Sequence, residues 1–561
     1  PLFQAILTMR HFTSSSRLMA VTAAVALLSA CANTRPSDVA SSETVTQTTG
    51  VGSISAIVTR QDIQFDDKFY FPYEGHHPAT KADFPKGFLP AYGSGLALKG
   101  RRADGTLEFY AITDRGPNAT TGPVTQITDG SNPAGFASST VFPSPNFTPS
   151  IGVIALGKDG ARLVSTLPLR FSATQNANGR VQPRGLTGNT GEQVLDDSFT
   201  YPGKAKGYSE FGLDTESVVV DAARNALWVS DEYGPFIVKI DPATGIIQKK
   251  YGPGTGAADL PAILAKRRAN RGMEGLSIDA ASGKLHGFLQ SPLDDGKADY
   301  TTAAVADATG KSENVRDYAR FVRWVEFDPT TEKTRLFALP VDSRWYNQGK
   351  TGNAKLGDVV SLGKGKFIAI EQGTGKNKKV FNDLVLIEFP ANATDITALG
   401  SDLEKSSLTG KPVNGSDYSK VVTLKKTRLF NLNATGWVAE KAEGLALVDD
   451  YTLALTNDTD FGVSLAVLDA SGKEIEGSNV TKCMVDAEGK IAKRNVKVGG
   501  QQNGRWVILD GLKAGEQVMV DGFQKLQMMP PGTAVKAVPW QAPGSAPAAP
   551  AAAAPAPAAA K

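Results

Sequence analysis

Acidic residues stand at both ends of several short apolar strand pairs in this chain. Glu216 precedes one pair and Asp231 follows it 15 positions later, and Glu443 and Asp458 are separated by the same interval. A hairpin brings its two ends together, so each acidic pair is expected to meet at the open end of its hairpin. Two carboxylates at one point can share a divalent cation.

Other strand pairs carry variations of this pattern. Asp358 and Glu371 are 13 positions apart, as a shorter turn would give. Glu274 begins another pair, at whose other end Gln290 takes the place of an acid. Asp114 follows the first pair, which has no acid at its start. These positions extend the pattern along the middle of the chain.

If the repeats point these acids at a common axis, the carboxylates raise each other's pKa unless a cation joins them. Oxygen donors at variable spacing, without His or Cys, favour calcium. The alternative is that the acids cap turns or face solvent, as most loop acids do. The predicted metal ligands are Asp114, Glu216, Asp231, Glu274, Asp358, Glu371, Glu443 and Asp458.

Cationic and amide side chains lie close to these acids in the sequence. Arg115 and Asn118 follow Asp114, Arg271 comes three positions before Glu274, and Lys441 precedes Glu443. A guanidinium beside a metal cluster suits an anionic substrate such as a phosphate ester. These cations could equally neutralise the acids as salt-bridge partners.

The predicted chemistry is calcium-dependent hydrolysis of phosphate esters. The ions would hold the phosphate and lower the pKa of an attacking water. Arg115 and Arg271 would take up negative charge, and Glu232 or another of these acids would act as base. Asn118 and Lys441 are the predicted substrate contacts. A non-catalytic metal-stabilised binding module and a metal-independent carboxylester hydrolase remain as alternatives, although the chain has no G-x-S-x-G motif.

The acids belong to a repeated unit of two hairpins. Each unit has an apolar strand, a tight turn, a second strand and, after a variable loop, a further hairpin, which is typical of propeller blades. Five blades are recognisable, and strand-like pieces in residues 51–70 and 401–437 could complete a sixth. We therefore predict an all-β propeller over 51–480; a β-sandwich with irregular hairpins is the alternative.

Four stretches, ITDRGPN, LDTES with VSDEYGP, NRGMEGLSID and AEGLAL with TNDTDFG, resemble the phytase-like family described by an esterase-like activity. The resemblance covers about residues 55–470 and implies a secreted bacterial propeller with a calcium-linked phosphoesterase or esterase activity. It also implies functional acids at the motif positions, which are Asp114, Glu216, Asp231, Glu232, Glu274, Glu443 and Asp458.

Composition and the N-terminal segment bear on location and partners. A net charge of +3 over 561 residues gives no basic surface for nucleic acid. Residues 1–31 read as a signal peptide whose LSAC ending resembles a lipobox, with Cys31 as the lipidated residue. This predicts a periplasmic, outer-membrane lipoprotein, anchored to the membrane by its lipid and followed by a flexible tether over 32–50.

The C-terminal segment departs from the repeat. Residues 483–540 closely resemble the membrane-proximal segment of periplasmic adaptor proteins of RND efflux pumps, without the adaptor's other parts. We predict a short fused β-rich fragment over 481–540 and a disordered Ala/Pro tail over 541–561. Docking to an efflux pump is the alternative and is not expected.

Overall fold

The computed structural model describes residues 5–12, 41–75, 78–121, 139–144, 146–179, 194–195, 211–299, 312–437 and 441–463, with four short strands beyond them. Contacts divide the chain into two compact units, Pro1–Gly477 and Ser478–Lys561. None of the helices within these described residues is long and apolar enough to span a bilayer. Cys31 and the tail 541–561 lie outside the described residues.

The N-terminal part contributes three strands, β1 (Ala5–Phe12), β2 (Ser41–Thr49) and β3 (Gly52–Gln64). β3 pairs antiparallel with both β1 and β2. The predicted flexible tether is therefore wrong for Ser41–Thr49, where frequent β-branched Thr and Val favour an extended backbone. β1 lies inside the segment predicted to be a leader, and cleavage of that leader stays a prediction.

The following strands are β4 (Gly95–Arg101), β5 (Leu107–Ile112), β6 (Ala119–Thr121), β7 (Ser139–Val141), β8 (Ser150–Gly157), β9 (Gly160–Pro168) and β10 (Val194–Leu195). β4, β5, β8 and β9 form an antiparallel meander, which we call blade 1. β6, β7 and β10 form a separate three-stranded sheet inserted between its strands and after them.

Blade 2 consists of β11 (Thr215–Asp221), β12 (Ala226–Asp231), β13 (Phe236–Ile240) and β14 (Ile247–Tyr251), followed by the short pair β15 (Pro253–Gly254) and β16 (Leu260–Pro261). The next strands are β17 (Met273–Ile278), β18 (Leu285–Leu289), β19 (Lys297–Asp299), β20 (Ser312–Asn314), β21 (Phe321–Asp328) and β22 (Lys333–Pro340). Blade 3 is β17, β18, β21 and β22, with β19 and β20 paired in an insertion.

Blade 4 consists of β23 (Lys355–Gly363), β24 (Lys366–Thr374), β25 (Val380–Glu388) and β26 (Lys425–Asn431). Blade 5 begins with β27 (Ala442–Asp449) and β28 (Thr452–Asn457), and β1 and then β3 complete it. The helices are α1 (Pro78–Asp83), α2 (Val315–Tyr318) and α3 (Asp402–Thr409). The second unit contains β29 (Met484–Val485), β30 (Ile491–Ala492), β31 (Lys497–Gln502) and β32 (Arg505–Asp510).

The first strands of the five blades close a ring. β4 contacts β11, β11 contacts β17, and the series continues through β23 and β27 back to β4. The five blades form four large sheets in the described part of the chain. A short parallel pairing between β3 and β9 joins blades 5 and 1 into one nine-stranded sheet. The propeller fold is confirmed, and the strands proposed for a sixth blade belong to blades 4 and 5 instead.

Apolar residues fill each of the five interfaces between blades. Trp228 and Phe327 pack together between blades 2 and 3, and Phe288 and Phe367 lie in the cluster between blades 3 and 4. Similar clusters join blades 4 and 5, blades 5 and 1, and blades 1 and 2. Both faces of a blade are covered, which explains why strands such as β12 are buried along their whole length.

Candidate functional site

A one-residue β-bulge recurs at the start of the first strand in four blades. In blade 2, Thr215 pairs with Asp231 and Ser217 pairs with Ser230, so Glu216 is the extra residue. Blades 3, 4 and 5 shift register at the corresponding point. A bulge bends its strand and changes the direction of the extra side chain. The glutamates at the bulges therefore point to one end of the ring.

This end of the ring, which we call the mouth, gathers seven acidic side chains that are buried. Burial raises the pKa of Glu216 and Glu274 well above the ordinary value. Repulsion from Glu274 raises the pKa of Glu216 further, and repulsion from Glu232 raises that of Glu274. Repulsion from Glu443 also acts on both. The seven buried acids are Asp114, Asp214, Glu216, Glu232, Glu274, Glu443 and Asp458.

Two groups of three carboxylates in the described part of the mouth have ligand atoms within 4.8 Å of one another. The first, which we call the Glu216 triad, is Asp214, Glu216 and Glu232, and all three are buried. The second, which we call the Asp458 triad, is Asp114, Asp458 and Asp460. The sequence-based prediction of metal ligands missed Asp214. The signal available in the sequence was its position two residues before Glu216, within the motif LDTES.

The residues around the Glu216 triad leave carboxylate oxygens available. Asp214 Oδ1 accepts a hydrogen bond from the backbone N–H of Arg115 at 3.1 Å, whereas Oδ2 is buried without a hydrogen-bond partner among the described residues. Arg115 Nε lies 3.7 Å from that oxygen. Glu274 Oε2 is also buried and accepts no hydrogen bond from any residue that the structure describes. An oxygen-only donor set with unsatisfied buried atoms fits a hard divalent cation.

Asp231 lies outside both triads. Its Oδ2 accepts from the backbone N–H of Asp214 and its Oδ1 from that of Gly234, each at 2.6 Å. Burial raises its pKa to about 7, and the two hydrogen bonds lower it. Its assignment as a ligand by equal spacing is wrong because the blade 2 hairpin is one residue longer than that of blade 5. Glu232, not Asp231, corresponds to Asp458.

Asp358 also lies outside the triads, on the axis of the ring. Its register in blade 4 makes Gly357, not Asp358, the counterpart of Glu216. Successive side chains of a strand point to opposite faces, so this shift by one position turns Asp358 away from the mouth. Its oxygens accept hydrogen bonds from the backbone N–H groups of Leu96, Val359 and Leu445 and from the Ser217 hydroxyl.

Glu371 is the third predicted ligand that the structure removes from the mouth cluster. Lys426 Nζ lies 2.6 Å from its Oε2, and the Tyr346 hydroxyl donates to its Oε1. Lys426 lies in turn over the Trp345 ring, 4.9 Å from the centroid. A buried lysine therefore balances Glu371 inside blade 4.

The predicted catalytic and substrate-binding cations occupy different environments. Arg115 is buried, with its guanidinium 5.4 Å from the ring centroid of Phe142, and it forms an ion pair with Asp214. Arg271 is half-buried and donates to Gln290 Oε1, and the Gln290 side chain bonds to Glu274. Arg271 is thus held beside the mouth through an amide relay.

The two predicted substrate contacts are engaged within the protein. Asn118 Nδ2 donates to the carbonyl of Gly116 at 2.8 Å, which stabilises its own turn. Lys441 Nζ donates to Asp458 Oδ2 at 2.8 Å and to Asp460 Oδ1 at 2.7 Å. Lys441 is therefore an ion-pair partner of the acids, which was the alternative left open by the sequence.

Further arginines lie near Arg271. The pKa of Arg268 is lowered by burial and then by the charges of Arg271 and Arg316. Arg267 is buried, and its two terminal nitrogens have no hydrogen-bond partner among the described residues. These arginines form the sequence RRANR at residues 267–271, which indicates a cluster of positive charge beside the acids.

Comparison with known proteins agrees with the repeated motifs. Residues 93–461 match the family described as "Esterase-like activity of phytase". The chain belongs to this phytase-like family. Membership supports a hydrolase-like function, and the acidic mouth contains the family-like motifs identified in the sequence. Residues 469–525 match the C-terminal permuted SH3 domain of RND membrane fusion proteins, which confirms the resemblance of that segment.

Individual relatives are distant. An uncharacterized secreted protein of Arthroderma benhamiae is 24% identical over 448 residues, which is 67% of this chain and 80% of that protein. The periplasmic gluconolactonase of Pseudomonas aeruginosa is 12% identical with a TM-score of 0.22, covering 66% of this chain and 94% of that structure. A chain of Kuenenia stuttgartiensis hydrazine synthase is 12% identical with a TM-score of 0.21, covering 44% of this phytase-like chain and 60% of its own length.

Proposed function

We propose that the phytase-like propeller hydrolyses esters of an anionic acid, with phosphate esters as the substrate class and calcium as the bound ion. The observation that carries this proposal is the Glu216 triad, three buried carboxylates in which Asp214 Oδ2 accepts no hydrogen bond from the described residues. Buried carboxylates at this separation are stable as anions only with a compensating cation. A bound calcium ion would supply Lewis acidity toward a phosphoryl oxygen and a water.

Residues of the chain bind the substrate and position the carboxylates. Arg271 is half-buried beside Glu274, where its guanidinium can contact two oxygens of an anionic group. Gln290 fixes Arg271 and Glu274 relative to one another. Arg115 positions Asp214 and is shielded from substrate by burial.

Glu274 is the favoured acid–base group. It belongs to neither triad, and its Oε2 lacks a partner among the described residues. Its pKa is raised by burial and by repulsion from Glu232, so the carboxyl exchanges its proton closer to neutral pH than an exposed glutamate. Glu232, the base predicted from the sequence, lies within the triad and is proposed here as a ligand.

The test measures hydrolysis of a phosphomonoester, a phosphodiester and a short carboxylester by the full chain, with calcium and with chelator. Wild type is compared with Glu274→Gln. We expect calcium-dependent phosphatase activity, and a loss of about 100-fold or more in kcat/KM in the variant. Calcium-dependent melting without turnover would instead identify a binding module, and chelator-resistant turnover of the carboxylester a metal-independent esterase.

The cellular setting forms part of the same proposal. The leader sequence around Cys31 supports a lipid-anchored protein in the periplasm, attached to the outer membrane. Phosphate esters that reach this compartment would then be the available substrates. The adaptor-like segment is proposed to have no transport role of its own.

A further inference from the structure

Each triad has one member from the same position of its blade, Glu232 in blade 2 and Asp458 in blade 5. Glu443 occupies the bulge of blade 5 as Glu216 does in blade 2, and the ladder pairs Ala442 with Asn457 as it pairs Thr215 with Asp231. The residue two positions before the bulged glutamate is therefore Asp214 in blade 2 and Lys441 in blade 5. One position carries opposite charges in the two blades.

This charge reversal decides whether a triad has a lysine that neutralises its carboxylates. In the Asp458 triad, the Lys441 ammonium donates to Asp458 and Asp460 at 2.8 and 2.7 Å. In the Glu216 triad, the equivalent residue adds a third carboxylate, and its Oδ2 is buried without a hydrogen-bond partner among the described residues. Arg115 Nε forms an ion pair with this oxygen at 3.7 Å, which is longer than either contact of Lys441.

We propose that Lys441 is a built-in cation that takes the place of a second metal ion, so that the mouth binds one divalent ion, at the Glu216 triad. The inference rests on the calcium-binding part of the proposed function. An ammonium hydrogen-bonded to two ligands of a triad repels a dication at the same ligands and occupies their lone pairs. The Asp458 triad therefore holds either the lysine or an ion.

The backbone supports a fixed arrangement of this second triad. Asp460 and Phe461 both adopt positive φ angles, 47° and 55°, and Phe461 is fully buried. Phe461 packs against Phe71 and Phe147 with centroids 5.5 and 5.2 Å away. The surrounding aromatic cluster thus holds Asp460 in a strained turn that faces Lys441.

The experiment counts calcium ions bound per full chain by equilibrium dialysis with radioactive calcium, in the absence of any ester. Wild type should bind one ion, and Lys441→Met should bind two because the freed carboxylates then form a second site. Lys405→Met is the matched control, since Lys405 also bridges two aspartates, Asp295 at 2.9 Å and Asp402 at 3.1 Å, outside the mouth. It should still bind one ion.

A second pair of variants tests the inference without removing the lysine. Asp460→Asn should keep one ion with an affinity within about twofold, whereas Asp214→Asn should weaken binding by about tenfold or more. Asparagine tolerates the positive φ of Asp460, so this variant is expected to fold.

Two ions in wild type, one ion in folded Lys441→Met, or loss of the ion in Asp460→Asn would each overturn the inference, as would no bound ion in wild type. Because dialysis involves no substrate, the count is independent of turnover. One ion in wild type and two in the lysine variant, without ester hydrolysis, would support Lys441 as the built-in cation and reject only the enzymatic proposal.

Discussion

Adjacent acidic residues in blade 2 have separate roles. Asp231 binds two backbone N–H groups and so holds the loop that carries Asp214. Glu232 contributes its carboxylate to the Glu216 triad instead. The division follows from the strand ladder, because Asp231 is the last paired residue and Glu232 lies beyond it. One position along the chain thus separates a structural acid from a candidate ligand.

This division predicts opposite effects for two conservative substitutions. Asp231→Asn leaves one of two backbone donors without an acceptor and should lower the free energy of unfolding by about 1–3 kcal/mol. Glu232→Gln removes a repelling charge, so the calcium-free protein should unfold with equal or higher free energy, while calcium affinity falls about tenfold or more. Urea unfolding and calcium titration of both variants check this. Equal calcium affinity in wild type and Glu232→Gln would contradict it.

At the scale of elements, the first strands of the blades depend on very small residues at the axis. A Cβ added to Gly95 would lie 2.5 Å from Ser217 Cα, and one added to Gly275 would lie 2.7 Å from the carbonyl oxygen of Gly357. Backbones of neighbouring blades therefore approach each other directly. This close approach brings the acids of different blades into one mouth.

Gly95→Ala should accordingly disturb the ring of first strands. The added methyl meets backbone that cannot move aside locally, so the free energy of unfolding should fall by about 2 kcal/mol or more. Gly100→Ala on the same strand is the matched control, since its Cβ would have no neighbour within 4 Å. Thermal and urea unfolding should show little change for the control. An equally small effect at Gly95 would mean that the ring packs less tightly than described.

For the whole molecule, Asp358 links the blades at the axis. It lies on blade 4 and accepts hydrogen bonds from Leu96 of blade 1, Ser217 of blade 2 and Leu445 of blade 5. The Ser217 hydroxyl also lies 3.3 Å from the carbonyl oxygen of Leu276 in blade 3. A single carboxylate and one serine therefore connect all five first strands.

Asp358 should also make stability depend on pH. Burial raises its pKa in the folded protein to about 7 from 3.8, and its hydrogen bonds lower it. The folded state thus binds the proton more tightly, so this group's contribution to stability is greatest below about pH 4, falls as the pH rises to about 7, and is constant above.

Between pH 5 and 8, calcium-free wild type should lose about 2 kcal/mol more unfolding free energy than Asp358→Asn. Urea unfolding with chelator at both pH values measures the difference. The variant should be less stable than wild type at both, since asparagine offers one acceptor oxygen for four donors. The same pH slope in both proteins would show that other acids cause it.

The sequence by itself determined the propeller and its acidic mouth. Apolar strand pairs repeat with a glutamate at corresponding starts, and Glu216, Glu274 and Glu443 interact at one end of the ring as this repeat predicts. Repetition suffices here because identical local patterns fold alike, and the blades then align them. The family motifs follow from the same positions.

Only the tertiary structure decided which neighbouring residues join the mouth. The bulges and the unequal hairpin lengths shift register by one residue, which places Glu232 at the mouth in preference to Asp231 and turns Asp358 toward the axis. The roles of Asp214 and Lys441 likewise depend on carboxylates brought in from other parts of the chain. Strand side chains alternate between faces, so a one-residue shift reverses a role that spacing alone cannot fix.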